Sequence, residues 1–275
     1  MNPHFSLFGL TFYWYGLLLG TAIALVLVLV DYRSQLFDQR NKLAKKKRPP
    51  SLQLFWQQWS MVLLIGGFVG ARLWHVATDW QLYVGRWAAI ASLTQGGLSI
   101  LGGVAGGVIT FLLIRRFSPS NRAILPMAVF DSLVFGLPFG QAFGRLGNWV
   151  NQELYGLPST LPWAIEIDPL HRLTSFAEIT RYHPLFAYEA IAMLLLGLSI
   201  WLVDRKKQHL FGTGFFALLY ASVYSALRFG LDFLRIDRPV WFAGLSANQM
   251  ILLAVLVTSG FLWLKYRNNL IKSNA

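Results

Sequence analysis

The stretch FYWYGLLLGTAIALVLVLV, residues 12–30, decides the fold. It contains no charged residue, and a helix needs about 20 mostly apolar residues to cross a bilayer. Residues 1–11 contain no Lys or Arg, whereas a secretory signal peptide begins with a basic segment. We therefore predict that this stretch is a retained transmembrane helix.

Further apolar runs of similar length follow along the chain. They cover residues 54–76, 98–114, 124–143, 184–203, 210–227 and 245–264. Charged residues make up only 13% of the 275 residues, against about 25% in soluble domains. We predict an all-α polytopic membrane protein of about seven transmembrane helices, forming one domain over residues 1–275.

Basic residues indicate the orientation of these helices. Most Lys and Arg lie in segments 31–53, 115–123, 204–209 and 265–275, and such segments face the cytoplasm. The N-terminus is then outside, the C-terminus is cytoplasmic, and segment 148–183 forms a small extracytoplasmic cap. The net charge of +12 therefore reflects topology rather than nucleic-acid binding. The run KKKR at residues 45–48 also suits contact with anionic membrane lipid.

The absence of cysteine limits the chemistry that the chain can perform. With no cysteine, disulfides, thiolate metal sites and a cysteine nucleophile are excluded. No cluster of metal ligands is visible in the sequence either. We predict neither a cofactor nor a metal.

The motif GRLGN, residues 144–148, carries the first candidate group. Arg145 can present its planar guanidinium to a phosphate or carboxylate, and Asn148 and Asn151 add neutral donors. Alternatively, Arg145 pairs with Glu153 and fixes a helix end. The spacing leaves both interpretations open.

A second group follows from helical spacing. Arg228, Asp232 and Arg235 are four and three residues apart, so a continuous helix would place them on one face. That face would carry a surplus positive charge. The alternative is an internal salt bridge with one snorkelling arginine.

A third group lies where the fifth run begins. Pro184 suits the first turn of a helix, and Glu189 would lie about one turn into the bilayer. A buried carboxylate needs an arginine partner or a proton. We favour a structural ion pair over a general base.

The glycine-rich segment GGLSILGG, residues 96–103, predicts close helix packing in lipid. Ser99 in this segment has no base near it in sequence, so it is a poor candidate nucleophile. A further arginine, Arg72, precedes His75. Four arginines near the outer interface, with carboxylates and amides beside them, favour a site for an anionic headgroup with an apolar tail. They are Arg72, Arg145, Arg228 and Arg235.

The ordered motifs resemble the prolipoprotein diacylglyceryl transferase family over nearly the whole chain. The matching residues are Trp14-Tyr15-Gly16, Gly70-Ala71-Arg72-Leu73, Gly96-Gly97-Leu98-Ser99, Gly144 to Asn148 with Asn151, Glu153 and Gly156, Leu161-Pro162-Trp163-Ala164, His183-Pro184, Tyr188-Glu189, Tyr224, Arg228, Arg235, Leu245-Ser246 and Gln249. The resemblance implies transfer of a diacylglyceryl group from phosphatidylglycerol to the lipobox cysteine of prolipoproteins in the bacterial plasma (inner) membrane. It implies no nucleic-acid partner.

The resemblance also implies residue roles. The catalytic residues would be Arg228, Glu153, Tyr15 and Glu189, and the phosphatidylglycerol-binding residues would be Arg145, Asn148, Arg72, Gly156 and Arg235. Arg145 and Arg228 would bind the phosphate, and Asn148 would orient the headgroup.

Two positions depart from the family pattern. Leu101 stands where the family usually has a histidine with a catalytic role, and Asp232 stands where it usually has glutamate. Two hypotheses follow. In the first, the chain is an active transferase in which the arginine field lowers the pKa of the thiol, or Glu153, His75 or His183 accepts its proton. In the second, it is a lipid-binding or catalytically divergent paralogue. A transporter, which would place charges at the bilayer midplane, is the least favoured alternative.

Overall fold

The computed structural model describes residues 4–7, 10–43, 50–91 and 97–273. The basic run at 45–48 and Gly96 lie outside the described residues. By Cα packing the chain divides into two compact units, residues 1–33 with 126–275, and residues 34–125. The single domain expected from sequence stays a prediction.

Helices dominate the described residues. They are α1 (Trp14–Leu43), α2 (Leu52–Thr78), α3 (Trp87–Ala91), α4 (Ile100–Phe117), α5 (Pro126–Val150), α6 (Leu185–Lys206), α7 (Phe215–Asp232) and α8 (Ala247–Ser273). Two small antiparallel pairs accompany them, β1 (His4–Leu7) with β2 (Leu10–Tyr13) and β3 (Ile165–Glu166) with β4 (Arg181–Tyr182).

Six of these helices are long and apolar enough to cross a membrane. They are α1, α2, α4, α5, α6 and the Ala247–Lys265 part of α8. The predicted run at 210–227 forms α7, which packs against α5, α6 and α8. Polar residues along α7, including Arg228 and Asp232, lower its hydropathy. The prediction of an all-α polytopic membrane protein is confirmed.

Glycines set the packing within the second unit. A Cβ added at Gly70 of α2 would lie 2.6 Å from the Cα of Gly106 on α4, and one added at Gly106 would lie 2.8 Å from the Cα of Gly70. Neither helix can therefore carry a larger residue at this crossing. A Cβ added at Gly102, within the glycine-rich segment, would lie 2.4 Å from the carbonyl oxygen of Gly70, so the close packing expected of that segment is confirmed.

A buried aspartate anchors α7 to α5 in the first unit. The carboxylate of Asp131 accepts hydrogen bonds from the backbone N–H groups of Gly212, Gly214 and Ala217, at 2.8, 2.9 and 2.9 Å. The bond from Ala217 satisfies a donor that the first turn of a helix leaves unpaired, and the other two fix the backbone that leads into α7. Gly214 has φ +86°, a conformation that glycine adopts without the steric cost of a side chain.

A buried ion pair joins α1 to the last turn of α6. Arg33 donates from Nε and Nη2 to the two carboxylate oxygens of Asp204, at 3.0 and 2.8 Å, and both side chains are almost fully buried. The ring of Phe211 lies 3.6 Å from the Arg33 guanidinium carbon. The bidentate geometry and the aromatic face offset the cost of desolvating two charges.

The segment between α5 and α6 folds around two tyrosines. Tyr155 and Tyr182 pack with Ile167 in a small buried cluster. The Tyr155 hydroxyl donates to the carbonyl of His171 at 2.7 Å, and burial raises the pKa of this phenol, so it remains a donor. Segment 148–183 therefore has its own apolar core, as a small cap requires.

Breaking the Arg33–Asp204 pair on one side should destabilise the fold. We expect Asp204→Ala to lower the free energy of unfolding by about 3–5 kcal/mol, because it leaves a buried charge uncompensated. The double variant Arg33→Met/Asp204→Leu should recover most of that loss. Denaturant titration in detergent micelles measures both, and a double variant as unstable as the single one would contradict this expectation.

Candidate active site

Glu189, on the first turns of α6, lies between two arginines from neighbouring helices. It is 1% exposed. Its Oε1 accepts from Nη2 of Arg145 on α5 at 2.5 Å, and its Oε2 lies 3.6 Å from Nη1 of Arg228 on α7. The expectation that Glu189 has an arginine partner is confirmed. One carboxylate thus connects α5, α6 and α7.

A chain of polar contacts leads from this pair to the surface. Arg145 donates from Nη1 to Oδ1 of Asn148 at 2.9 Å, and Asn148 donates from Nδ2 to Oε1 of Glu153 at 2.9 Å. Glu153 is exposed, and Asn151 approaches the same oxygen at 3.4 Å. The direct Arg145–Glu153 pair considered from sequence does not form, because Asn148 stands between the two side chains.

Arg228 differs from Arg145 in its partners. The guanidinium of Arg145 is held by Glu189 and Asn148, whereas the described residues offer Arg228 no hydrogen bond, only the 3.6 Å approach to Glu189. The Arg228 side chain is 12% exposed. Two cations facing one buried carboxylate leave a surplus positive charge, and Arg228 has donors available for an incoming anion.

Two tyrosines and a glutamine complete the wall beside the arginines. The rings of Tyr220 and Tyr224 stack at 5.6 Å with an interplanar angle of 8°, and the Tyr220 hydroxyl donates to Oε1 of Gln141 at 2.9 Å. Sequence reasoning missed Tyr220 and Gln141. Their spacing was the available signal, since Tyr220, Tyr224 and Arg228 recur every four residues along one face of α7.

Tyr15 and Gly156 have packing roles that the structure defines. The Tyr15 ring covers Gly147, where an added Cβ would lie 2.8 Å from a ring carbon, so Tyr15 is next to the α5 turn that carries Asn148. Gly156 donates its N–H to the carbonyl of His183 at 2.8 Å, and a Cβ there would lie 2.7 Å from the carbonyl oxygen of Leu234. Gly156 thereby permits close approach of two backbone segments.

The predicted proximity of Asp232 and Arg235 is confirmed, since Nη1 of Arg235 lies 3.7 Å from Oδ1 of Asp232, but the continuous helix assumed for it is not. Helix α7 ends at Asp232, so Arg235 lies beyond it and donates from Nε and Nη2 to Asp237 at 2.9 and 2.8 Å. Asp232 is 1% exposed and accepts the hydroxyl of Ser246 at 2.6 Å. The loop after α7 therefore supplies partners that a continuous helix would have excluded.

In the second unit, Arg72 is buried and bonded to backbone. It donates from Nε to the carbonyl of Ile90 at 2.9 Å, from Nη1 to Gly97 at 2.9 Å and from Nη2 to Ala89 at 2.5 Å. These bonds hold the backbone on either side of segment 92–96. The guanidinium is thus held by backbone carbonyls, and its substrate-binding role stays a prediction.

Leu101 and His75 also belong to the second unit. Leu101 lies in the first turn of α4 and is 37% exposed. His75, on α2, approaches Asp79 with 2.9 Å between Nδ1 and Oδ2. Within the described ranges, no group of three or more His, Asp or Glu side chains could hold a metal ion.

The fold and the site define a class: an integral membrane protein with two arginines around one buried carboxylate. The chain matches the model of the prolipoprotein diacylglyceryl transferase family over residues 3–265. It therefore belongs to that family, a family of transferases in lipoprotein biosynthesis, as its motifs predicted.

Curated relatives agree with this assignment. The chain is 31% identical over 271 residues to a phosphatidylglycerol–prolipoprotein diacylglyceryl transferase of Finegoldia magna, covering 98% of this chain and 97% of that protein. It is 41% identical to the enzyme of that name from Cutibacterium acnes, over 63% of this chain and 58% of that protein. It is also 41% identical to enzyme 2 of that name from Streptomyces coelicolor, over 66% of this chain and 57% of that protein. The alignment thus spans little more than half of the last two relatives.

The Arg235–Asp237 pair should make stability depend on pH. The hydrogen bond from Arg235 holds the pKa of the Asp237 carboxyl below its usual range. Its contribution to stability is therefore present above the ordinary aspartate pKa of about 3.9 and is lost as the pH falls below that value. Because Asp237 is half exposed, the contribution is at most about 1 kcal/mol.

Asp237→Asn should accordingly lower the thermal midpoint near neutral pH and have no effect in strong acid. Glu178→Gln, which removes an exposed carboxylate elsewhere, is the control. Thermal unfolding in detergent over a pH series measures this difference. A loss of the same size at every pH would contradict the assignment.

Proposed function

We propose that this chain transfers the diacylglyceryl group of phosphatidylglycerol to the lipobox cysteine thiol of prolipoproteins. Family membership and the activity for which its relatives are named support this. The observation that carries it is Arg228, whose guanidinium has donors available beside the Glu189–Arg145 pair. Such a group suits the phosphate of a lipid headgroup.

The reaction forms a thioether by displacement. The thiolate sulfur attacks the glycerol carbon that bears the phosphate ester, the C–S bond forms and the C–O bond breaks. The electron pair of that bond leaves with glycerol 1-phosphate, and the thiol proton passes to a base. Negative charge therefore grows on the departing phosphate, which is where fixed cations stabilise the transition state.

The two arginines have different parts in this proposal. Arg228 donates to the phosphate directly, because its donors are available, while Arg145, already bonded to Glu189 and Asn148, supplies a fixed positive field. Glu189 offsets part of the charge of both, since two uncompensated cations at this depth would be costly. Asn148 sets the orientation of Arg145 and so acts on the headgroup through it.

Glu153 is the proposed acceptor of the thiol proton. It is the exposed carboxylate of the polar chain, and Asn148 and Asn151 orient it. Tyr15 covers Gly147, the residue before Asn148. Gly156 shapes the rim of the site by allowing two backbone segments to approach closely. Arg235 shapes it through its ion pair with Asp237. This arrangement lets the peptide thiol approach from the aqueous side while the lipid approaches from the bilayer.

The proposed location is the bacterial plasma (inner) membrane, with the N-terminus outside and the C-terminus cytoplasmic. Helix α6 supports this orientation, because Glu189 lies near its first turn whereas Arg205 and Lys206 lie in its last turn. Helix α4 likewise ends on Arg115 and Arg116. Basic helix ends mark the cytoplasmic face, so the site faces outward, where prolipoproteins present the lipobox.

Removal of Arg228 should abolish most of the activity. We expect Arg228→Ala to slow precursor conversion by about 10²–10³-fold, the usual cost of losing a group that stabilises transition-state charge. The assay is the mobility shift of a model lipoprotein in a bacterium depleted of its own transferase. Arg86→Ala, at an exposed arginine outside the site, should convert precursor normally. Normal conversion by Arg228→Ala would overturn the proposal.

Position 101 separates an active transferase from a divergent paralogue. If the arginine field and Glu153 suffice, the unaltered chain converts precursor in the same assay, and Leu101→His changes the rate little. A chain that inserts into the membrane, fails to convert precursor and is rescued by Leu101→His would be a family member disabled at one position. If neither the unaltered chain nor Leu101→His converts precursor, the lipid-binding paralogue is favoured.

A further inference from the structure

The turn that carries Glu153 has an unusual backbone. Helix α5 ends at Val150, and Gln152 and Leu154, on either side of Glu153, have φ of 52° and 57°. Among the residues that the structure describes, only one other non-glycine residue, Ala243, has a positive φ. A side chain disfavours this left-handed conformation, so the turn needs interactions that hold it.

The backbone here forms a Schellman motif, the C-terminal cap in which helices usually place a glycine. The N–H of Glu153 donates to the carbonyl of Asn148 at 2.9 Å, and the N–H of Gln152 donates to the carbonyl of Trp149 at 3.0 Å. Gln152 occupies the left-handed position of the motif, where glycine has no steric cost. The glutamine therefore holds a conformation that its own backbone does not favour.

The side chain of Gln152 provides the missing support. Its Oε1 accepts the backbone N–H of Asp168 at 2.6 Å; we call this bond the Gln152–Asp168 tether. Asp168 follows Ile167, which is 2% exposed in the apolar core of the cap and donates its N–H to the carbonyl of Thr180 at 3.1 Å. The donor is thus fixed, and the tether joins the turn to the core of the cap.

The position of Glu153 depends on this turn. With a right-handed φ at Gln152, α5 would continue, and Glu153, five residues after Asn148, would lie about 140° away from it around the helix axis. In the left-handed turn the Glu153 carboxylate instead accepts from Nδ2 of Asn148 at 2.9 Å. The turn therefore keeps the exposed carboxylate beside the asparagine that connects it to Arg145.

We propose that Gln152 is a positioning residue for the transfer reaction, which holds Glu153 at the site through the Gln152–Asp168 tether. The inference rests on the proposed function, in which Glu153 accepts the thiol proton. Water can replace the lost hydrogen bond when the tether is removed, because Asp168 is exposed. Removal of the tether therefore displaces the carboxylate without unfolding the cap.

Two variants remove the tether from opposite sides. Gln152→Ala removes the acceptor, and Asp168→Pro removes the N–H donor at a residue whose φ of −58° suits proline. Asp168→Ala, which keeps the donor and loses the side-chain contact to Leu170, is the matched control. We expect the first two to slow thioether formation about tenfold near neutral pH, a part of the roughly 10²–10⁴-fold that a general base contributes. The control should react normally.

Two further results identify the effect as positioning. Gln152→Gly should restore most of the rate without the tether, because glycine adopts the left-handed turn unaided. The deficit of Gln152→Ala should disappear at about pH 9.5, since a thiol of pKa about 8.5 is then ionised without a base, whereas a general loss of structure would persist at every pH. The assay uses the purified full chain with a lipobox peptide and phosphatidylglycerol.

A distance measurement tests the tether independently of activity. Because the chain has no cysteine, spin labels can be attached at Glu153→Cys and Lys206→Cys, and double electron–electron resonance measures the distance between them. We expect one distance population in the otherwise unaltered chain and in Gln152→Gly. A second population should arise in Gln152→Ala and in Asp168→Pro.

Three outcomes separate this inference from the proposed function. Normal conversion by Gln152→Ala, with a single distance population, would overturn the inference while the transferase activity stood. Equal losses in Asp168→Ala and Asp168→Pro would also overturn it, because the side chain rather than the N–H donor would then matter. If the unaltered chain transfers nothing, the proposed function fails, and the distance populations decide whether the tether holds the turn.

Discussion

The rest of the site depends on one buried carboxylate, that of Glu189, held between Arg145 and Arg228. A charged group that is 1% exposed persists in an apolar bundle only if it is compensated and hydrogen-bonded. By binding Arg145 tightly and Arg228 loosely, Glu189 fixes one arginine and leaves the other with donors for a ligand. Asn148 bonds both to Arg145 and to Glu153, so it links the buried pair to the exposed carboxylate.

Elsewhere in the first unit, buried charges serve the fold in the same way. Asp131 receives three backbone N–H groups at the start of α7, and Asp204 receives the Arg33 guanidinium at the end of α6. Asp131 fixes the start of α7, whose other end carries Arg228. Asp204 fixes the end of α6, whose first turns carry Glu189. The second unit instead brings α2 and α4 together through glycines, so its packing relies on close backbone contact.

Sequence reasoning predicted the helices well because runs of apolar residues are a strong signal, and it found Arg145, Asn148, Glu189 and Arg228 through motifs. It assumed one continuous helix through Arg235, since spacing alone does not reveal that α7 ends at Asp232. It also missed the Asn148 bridge, because the choice between a direct and a mediated contact depends on where the chain turns after Val150. The carbonyl partners of Arg72 are Ala89 and Ile90 of α3 and Gly97, and the sequence carries no signal for these contacts.

We propose above all that a thiol displaces glycerol phosphate from phosphatidylglycerol at the Arg228–Glu189–Arg145 cluster. The direct measurement is the glycerol 1-phosphate released by the purified chain with a lipobox peptide carrying either cysteine or serine. We predict one glycerol phosphate per peptide that gains a diacylglyceryl group, and none with serine. Equal release with both peptides, or release without modification of the peptide, would contradict the claim.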